Sequence, residues 1–106
     1  MGPPPELLAA IVRKVLSAAA PRRIILFGSA ATGRMGADSD IDLLIVEDRI
    51  GDSRAESVRL RRAIGSIGYP VDVLVMGEER FQETKDFVGG LAFPASKYGK
   101  TLYEAT

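Results

Sequence analysis

The chain has 106 residues, of which 46% are hydrophobic, and it carries 14 basic and 14 acidic side chains. This length suits one small domain with one core, so we predict a single domain over residues 1–106, with residues 1–4 as a flexible lead-in. A net charge of zero provides no large basic field, so direct binding of nucleic acid is not expected. The chain has no cysteine and no histidine, which excludes thiolate and histidine metal sites and a histidine general base.

Composition and the first residues also predict where in the cell the protein is located. A lack of cysteine fits a reducing compartment, and the first residues lack the basic and then apolar layout of a signal peptide. No apolar run is long enough to span a bilayer. We therefore expect a cytoplasmic protein that does not enter the membrane.

The first half of the chain alternates between helical and strand patterns. Apolar residues recur at helical spacing over residues 5–19, and Pro21 ends that pattern. A buried strand is predicted at residues 24–27, and a second strand runs from Asp40 or Ile41 to about Glu47. A helix then begins after Asp52.

The second half completes the predicted sheet. The helix after Asp52 keeps an apolar face as far as Ile67, while nearby glycines weaken and stop it. A strand follows at residues 71–76, then a helix at 78–88, a short helix at 94–99 and an edge strand at 101–103. A strand, a long helical crossover and another strand predict an α/β (α+β) fold, a small mixed sheet with helices mainly on one face.

Two carboxylates lie two positions apart at the start of the second strand. Side chains at i and i+2 of a strand point to the same face, with Cα atoms about 6.6 Å apart. Asp40 and Asp42 can therefore reach one metal ion, or two ions about 3.5–4 Å apart. Asp72 is the one acid within the otherwise apolar third strand, and an unpaired buried carboxylate is costly, so it is the natural third ligand. With oxygen ligands alone, Mg²⁺ or Mn²⁺ is the expected metal.

Gly28 and Ser29 follow the first strand, ten residues before Asp40. Glycine allows the backbone to approach a ligand closely, and serine is a good helix N-cap. Free amides at a helix start attract phosphate, so a short helical turn after Ser29 would form a phosphate site. A phosphate site that faces a carboxylate pair indicates chemistry on a nucleoside triphosphate.

These motifs resemble the nucleotidyltransferases of the DNA polymerase beta superfamily, and most of all its minimal branch, the MNT proteins. The pattern consists of Gly28-Ser29, the Asp40-x-Asp42 pair and the later Asp72, and residues 98–104 resemble the closing strand of that branch. The likeness covers roughly residues 23–104. Many members carry arginines just after the Gly-Ser pair, whereas this chain has two alanines and a threonine there, followed by Arg34.

The resemblance implies a nucleotidyltransferase fold, two Mg²⁺ ions on Asp40, Asp42 and Asp72, and a triphosphate held by Gly28 and Ser29. It also implies transfer of AMP from ATP to a protein hydroxyl, commonly a tyrosine of a HEPN-type toxin for which the MNT protein is the antitoxin.

Three functions stay open at this point. The first is that enzyme. The second is a non-catalytic antitoxin that neutralises its partner by occlusion, and the third, nucleotide transfer to nucleic acid, would need a basic groove or a further subunit. Away from the site, we expect Glu47 to be solvated and Arg59 to lie on an exposed helix face.

Overall fold

The computed structural model describes residues 3–28, 40–86 and 99–105. These residues form three helices and four strands. The helices are α1 (Pro5–Ala18), α2 (Ser53–Ile64) and α3 (Glu78–Thr84), and the strands are β1 (Arg23–Phe27), β2 (Ile41–Glu47), β3 (Val71–Gly77) and β4 (Lys100–Glu104). The predicted turn after Ser29 and residues 94–98 of the predicted 94–99 helix lie outside the described residues. The helix predicted at 78–88 is too long, because it ends at Thr84 and a turn follows at Lys85 and Asp86.

The ends of α2 follow directly from the residues there. Asp52 is the N-cap, and its Oδ1 accepts hydrogen bonds from the amides of Arg54 and Ala55 at 3.0 and 3.1 Å. Gly65 ends the helix with a φ of 69°, a conformation that glycine adopts at little cost. The predicted extension to Ile67 is therefore wrong, because the first glycine already stops the helix. Ile67 still packs against the core from the connection that follows.

The sheet is mixed, with the strand order β3-β2-β1-β4. Strands β2 and β3 are parallel, whereas β1 runs antiparallel to both β2 and β4. Helix α2 is the crossover that a parallel pair requires. The structure thus confirms the predicted mixed sheet and places β4 at an edge, as expected.

Each face of the sheet buries its own apolar cluster. Side chains from α1 and α2 cover one face and pack on Ile24, Leu26 and the odd-numbered residues of β2 and β3. On the other face, Phe81 of α3 packs on Ile25, Leu44 and Val46. Two of the three described helices therefore lie on one face of the sheet, as predicted.

Arg23 joins three elements beside this second cluster. Its guanidinium contacts both carboxylate oxygens of Glu78 at 3.3 Å and Glu104 Oε1 at 3.3 Å, and it lies over the ring of Phe81, 5.3 Å from the centroid. The contacts link β1 to α3 and to β4. Because Arg23 and Glu78 are both largely shielded, this pair is screened less than a surface ion pair.

Glu47 is half-buried at the end of β2, so the expectation that it is solvated is wrong. Its Oε2 is shielded from solvent and accepts no hydrogen bond from the described residues. Burial, and then a hydrogen bond to the Glu56 carboxylate, raise the pKa of Glu47 to about 7. Two carboxylates can share a hydrogen bond only if one of them holds a proton, so Glu47 is the protonated member.

Glu56 is the ionised member of the pair. Arg59 donates two hydrogen bonds to its carboxylate, at 2.8 and 2.7 Å, and a third to the carbonyl of Ala18 at 2.6 Å. The Arg59 contact, and then the proton of Glu47, lower the pKa of Glu56 to about 2. Arg59 is exposed, as expected, but it also ties α2 to the end of α1.

No helix within residues 3–28, 40–86 and 99–105 has the length and apolar character needed to cross a membrane.

Replacing Glu47 should change how stability depends on pH. Because the folded chain holds the Glu47 proton more tightly than the unfolded chain, its contribution is complete below pH 4.5 and is lost as the pH rises through about 7. Glu47→Gln cannot ionise, so we expect this variant to be more stable than the wild type above pH 7 but not at pH 4.5. Urea unfolding at both pH values measures the difference. Glu79→Gln, at an exposed position of α3, is the control, and an equal effect of both variants would contradict the assignment.

Candidate functional site

The starts of β2 and β3 lie side by side at one end of the strands. In the parallel register, Asp42 lies directly opposite Asp72. Neighbouring residues of paired strands project their side chains to the same face, so the two carboxyl groups share one face. Asp40 immediately precedes β2 at the same end of the sheet. The predicted opposition of the Asp-x-Asp pair and the third acid is therefore present in the sheet.

Electrostatics couples the three acids. Asp42 is half-buried, while Asp40 and Asp72 are exposed. Burial, and then the negative charges of Asp72 and Asp40, raise the pKa of Asp42 above its ordinary value. Like charges this close destabilise each other, so the cluster favours a cation.

Gly28 brings the end of β1 against this cluster. Phe27, the last residue of β1, pairs with Asp42, and Gly28 follows with a φ of 73°. A Cβ atom at position 28 would collide with Oδ2 of Asp42. Glycine is thus needed twice, for its backbone conformation and for the space that the carboxylate occupies. Ser29, the other predicted phosphate contact, lies outside the described residues.

The donor set is chemically suited to Mg²⁺ or Mn²⁺, which prefer carboxylate oxygens. Within the described residues, however, no group of three acids is already arranged to hold a metal ion. Mg²⁺ is usually held by one or two carboxylates together with substrate phosphates and water, so a preassembled cage is not required. The metal-binding role of Asp40, Asp42 and Asp72 stays a prediction.

The sequence interpretation missed the neighbours of Asp72. A cleft of about 420 Å³ between α2 and the free edge of β3 is lined by Asp72 together with Arg54, Val58 and Arg61. Helix α2 covers the face of Val71 and Val73, so the Asp72 side chain projects from the opposite face. The only sequence signal was the spacing of the three α2 residues, which places them on one side of a helix. A larger cleft of about 800 Å³ lies towards the other end of β3 and contains none of the predicted acids.

Gly28→Ala should cost more stability than an equivalent change elsewhere. Gly68 also has a positive φ, of 90°, but a Cβ there would meet nothing within 4 Å. We expect Gly68→Ala to cost about 1 kcal/mol from backbone strain, and Gly28→Ala to cost more because Asp42 must also move. Urea unfolding measures both variants. If the collision is the cause, Asp42→Ala should remove the extra cost, and a double-mutant cycle without coupling would contradict it.

Comparison with known proteins now gives the family. Residues 7–90 match the family model of the nucleotidyltransferase domain, a span that includes all five predicted site residues. A comparison with curated proteins gives no match. Among solved structures, the chain is similar to one described as a toxin-antitoxin with AMP-PNP, at a TM-score of 0.71 and 19% identity over 92% of this chain and 73% of that one.

A second solved structure is a candidate nucleotidyltransferase from Sulfolobus solfataricus. It matches at a TM-score of 0.62 and 27% identity, over 92% of this chain and 78% of that one. Both structures share the fold of the present chain. The family match extends over most of the sequence, and the chain belongs to the nucleotidyltransferase domain family.

Proposed function

We propose that this nucleotidyltransferase transfers AMP from ATP to a hydroxyl of a partner protein and thereby acts as an antitoxin. The observation that carries the proposal is the register of β2 and β3, which pairs Asp42 with Asp72 on one face beside the Gly28 turn. Carboxylates that repel each other lower the stability of the fold, whereas a nucleotide-transfer site uses such carboxylates to bind metal ions.

In this proposal, Asp40, Asp42 and Asp72 hold two Mg²⁺ ions. When bound, such ions stabilise the leaving pyrophosphate and lower the pKa of the attacking hydroxyl. Asp40 and Asp42 are the residues proposed to serve the triphosphate, and Asp72 the attacking hydroxyl. The raised pKa of Asp42 supports a cation here, because a positive ion would relieve the repulsion that causes it.

Gly28 and Ser29 are proposed to bind the triphosphate through backbone amides and the serine hydroxyl. The position of Gly28 against the Asp42 carboxylate supports this role, since it would bring phosphate oxygens close to the ions that neutralise them. A side chain at position 28 would occupy the space through which the phosphate approaches.

The partner is proposed to be a toxin, of the HEPN type that the sequence motifs imply, with a tyrosine as the acceptor. The similarity of the fold to a toxin-antitoxin structure with AMP-PNP supports a toxin as partner. This similarity is compatible with both catalysis and occlusion. An experiment must therefore distinguish the catalytic antitoxin from the non-catalytic one.

Asparagine variants distinguish the two. Asp42→Asn and Asp72→Asn keep the size of the side chain but remove its charge, and each should lower AMP transfer by about 100-fold or more. Mass spectrometry of the partner after incubation with ATP and Mg²⁺ measures the added AMP. The control is Asp86→Asn, at an exposed position after α3. Unchanged neutralisation of the toxin by both site variants, with no adduct from the wild type, would favour occlusion.

Nucleotide binding gives a separate expectation. The wild type should bind ATP with Mg²⁺ and lose most of that affinity in excess chelator, because the carboxylates then repel the phosphates. In the presence of Mg²⁺, the Asp42→Asn variant should bind ATP more weakly than the wild type. In excess chelator, the variant should bind ATP at least as well as the wild type. Titration calorimetry under both conditions measures the two affinities, and equal wild-type affinities with and without Mg²⁺ would refute a metal bridge.

A further inference from the structure

The larger cleft, of about 800 Å³, lies beside the second half of β3. It is lined by Leu74 and Met76 of that strand and, on the α3 side, by Glu79, Arg80 and Glu83. Leu74 and Met76 pack against the cluster of Phe81, so their side chains lie on the face of the sheet that α3 covers. Even-numbered residues of β3 share one face, so Asp72 projects from that face too, with its Cα about 6.6 Å from that of Leu74. The cleft therefore begins next to Asp72, on the face where the proposed reaction takes place.

The backbone of β3 also faces this cleft. The amide of Ile41 in β2 donates a hydrogen bond to the carbonyl of Pro70 at 2.8 Å. Backbone groups of successive strand residues point to alternate sides, so even-numbered residues of β3 bond to β2 and odd-numbered ones face the free edge. The hydrogen bond from the Ser57 hydroxyl to the carbonyl of Val73 agrees with this pattern. Val75 is the next odd-numbered residue and lines the cleft, and no strand in the described part of the chain pairs with this edge. The amide and carbonyl of Val75 can therefore pair with an added strand, whereas Ser57 occupies the edge at Val73.

The charged residues of the cleft narrow the class of its ligand. Three acids and two arginines line it, namely Asp48, Glu79, Glu83, Arg49 and Arg80. This balance gives no excess of positive charge, which disfavours a triphosphate or a nucleic-acid backbone as the ligand. An unpaired strand edge beside apolar side chains is instead a recurring way in which proteins bind an extended peptide segment. Both features meet in this cleft, so a protein segment is its favoured ligand.

We propose that this cleft binds an extended segment of the acceptor protein, which pairs with β3 at Val75 and carries its tyrosine past Leu74 to Asp72. The inference rests on the proposed function and specifies how the acceptor is held. Alternate side chains of the bound segment pack on Leu74 and Met76, so aliphatic residues are expected at every second position. Val75 lies three residues from Asp72, about 10 Å along the strand, so the tyrosine follows the paired residue by two or three positions.

The probe is a short synthetic peptide in which valine and lysine alternate, with a tyrosine at each end and a fluorescein label. Fluorescence anisotropy without ATP or metal measures its binding to the full chain. Two further versions carry N-methyl groups on the amides of either the valines or the lysines, so each version blocks one edge of the extended peptide. One version should bind about tenfold more weakly than the unmethylated peptide, and the other should bind about as well. The reason is that only one edge can pair with β3 while the valines face Leu74 and Met76.

Magnetic resonance and a matched pair of variants locate the binding site. The amide of Val75 should exchange with deuterium more slowly when the peptide is bound, whereas the amide of Val71, on the same edge beyond Ser57, should not change. Leu74→Ala removes apolar surface from the cleft and should raise the Kd of the peptide about fivefold. The control, Leu16→Ala, makes the same substitution at an exposed position of α1 and should leave the Kd unchanged.

Equal affinities of the three peptides, or no binding of the unmethylated peptide, would overturn the proposal. Binding that leaves the exchange of the Val75 amide unchanged would also overturn it, because the peptide would then not pair with β3. Transfer of AMP to the peptide is measured separately, with Mg²⁺ and ATP labelled at the α-phosphate. Binding that follows the methylation pattern without any transfer would support the cleft as a peptide site and count against the proposed reaction.

Discussion

The parallel pairing of β2 with β3 is the constraint on which the site depends. It brings Asp42 and Asp72 side by side at the start of both strands, where burial and like charge raise the pKa of Asp42. Farther along the strands the same register buries the aliphatic side chains of both against α1 and α2. Burial of that apolar surface stabilises the pairing and holds the two carboxylates together despite their repulsion.

The two ends of β2 handle negative charge in different ways. At its far end, Glu47 and Glu56 also meet, but there one proton and the guanidinium of Arg59 neutralise the pair from within the protein. At the near end, no described basic side chain pairs with Asp42 or Asp72. A compensated pair is what stability alone favours, whereas an uncompensated one is typical of a site that receives its positive charge with a ligand.

Helix α2 is both the crossover between β2 and β3 and a core element. Leu60 and Ile64 on its inner side are fully buried, and its length is what allows β3 to return parallel to β2. The side adjacent to β3 carries Ser57, which donates a hydrogen bond to the carbonyl of Val73, and the side adjacent to α1 carries Arg59. In a chain this short, one helix must both connect the parallel strands and complete the core.

The sequence by itself determined the order of the described helices and strands, and it supplied the residues of the candidate site as a prediction. Apolar runs with an acid at their second position mark β2 and β3, and a glycine after a buried strand marks the turn at Gly28, because these patterns depend only on local backbone geometry. The sequence predicted a parallel or mixed sheet but not the order of its strands. The end of α2 was predicted too late because either Gly65 or Gly68 could end the helix.

What only the tertiary structure decided concerns contacts between distant residues. The register that opposes Asp42 and Asp72, the burial of Glu47 against Glu56 and the meeting of Arg23 with Glu78 all join elements far apart in the chain. A hydrophobic pattern states which face of an element is buried but not which residue it meets there. Glu47 was therefore predicted to be solvated, although it is half-buried and meets Glu56.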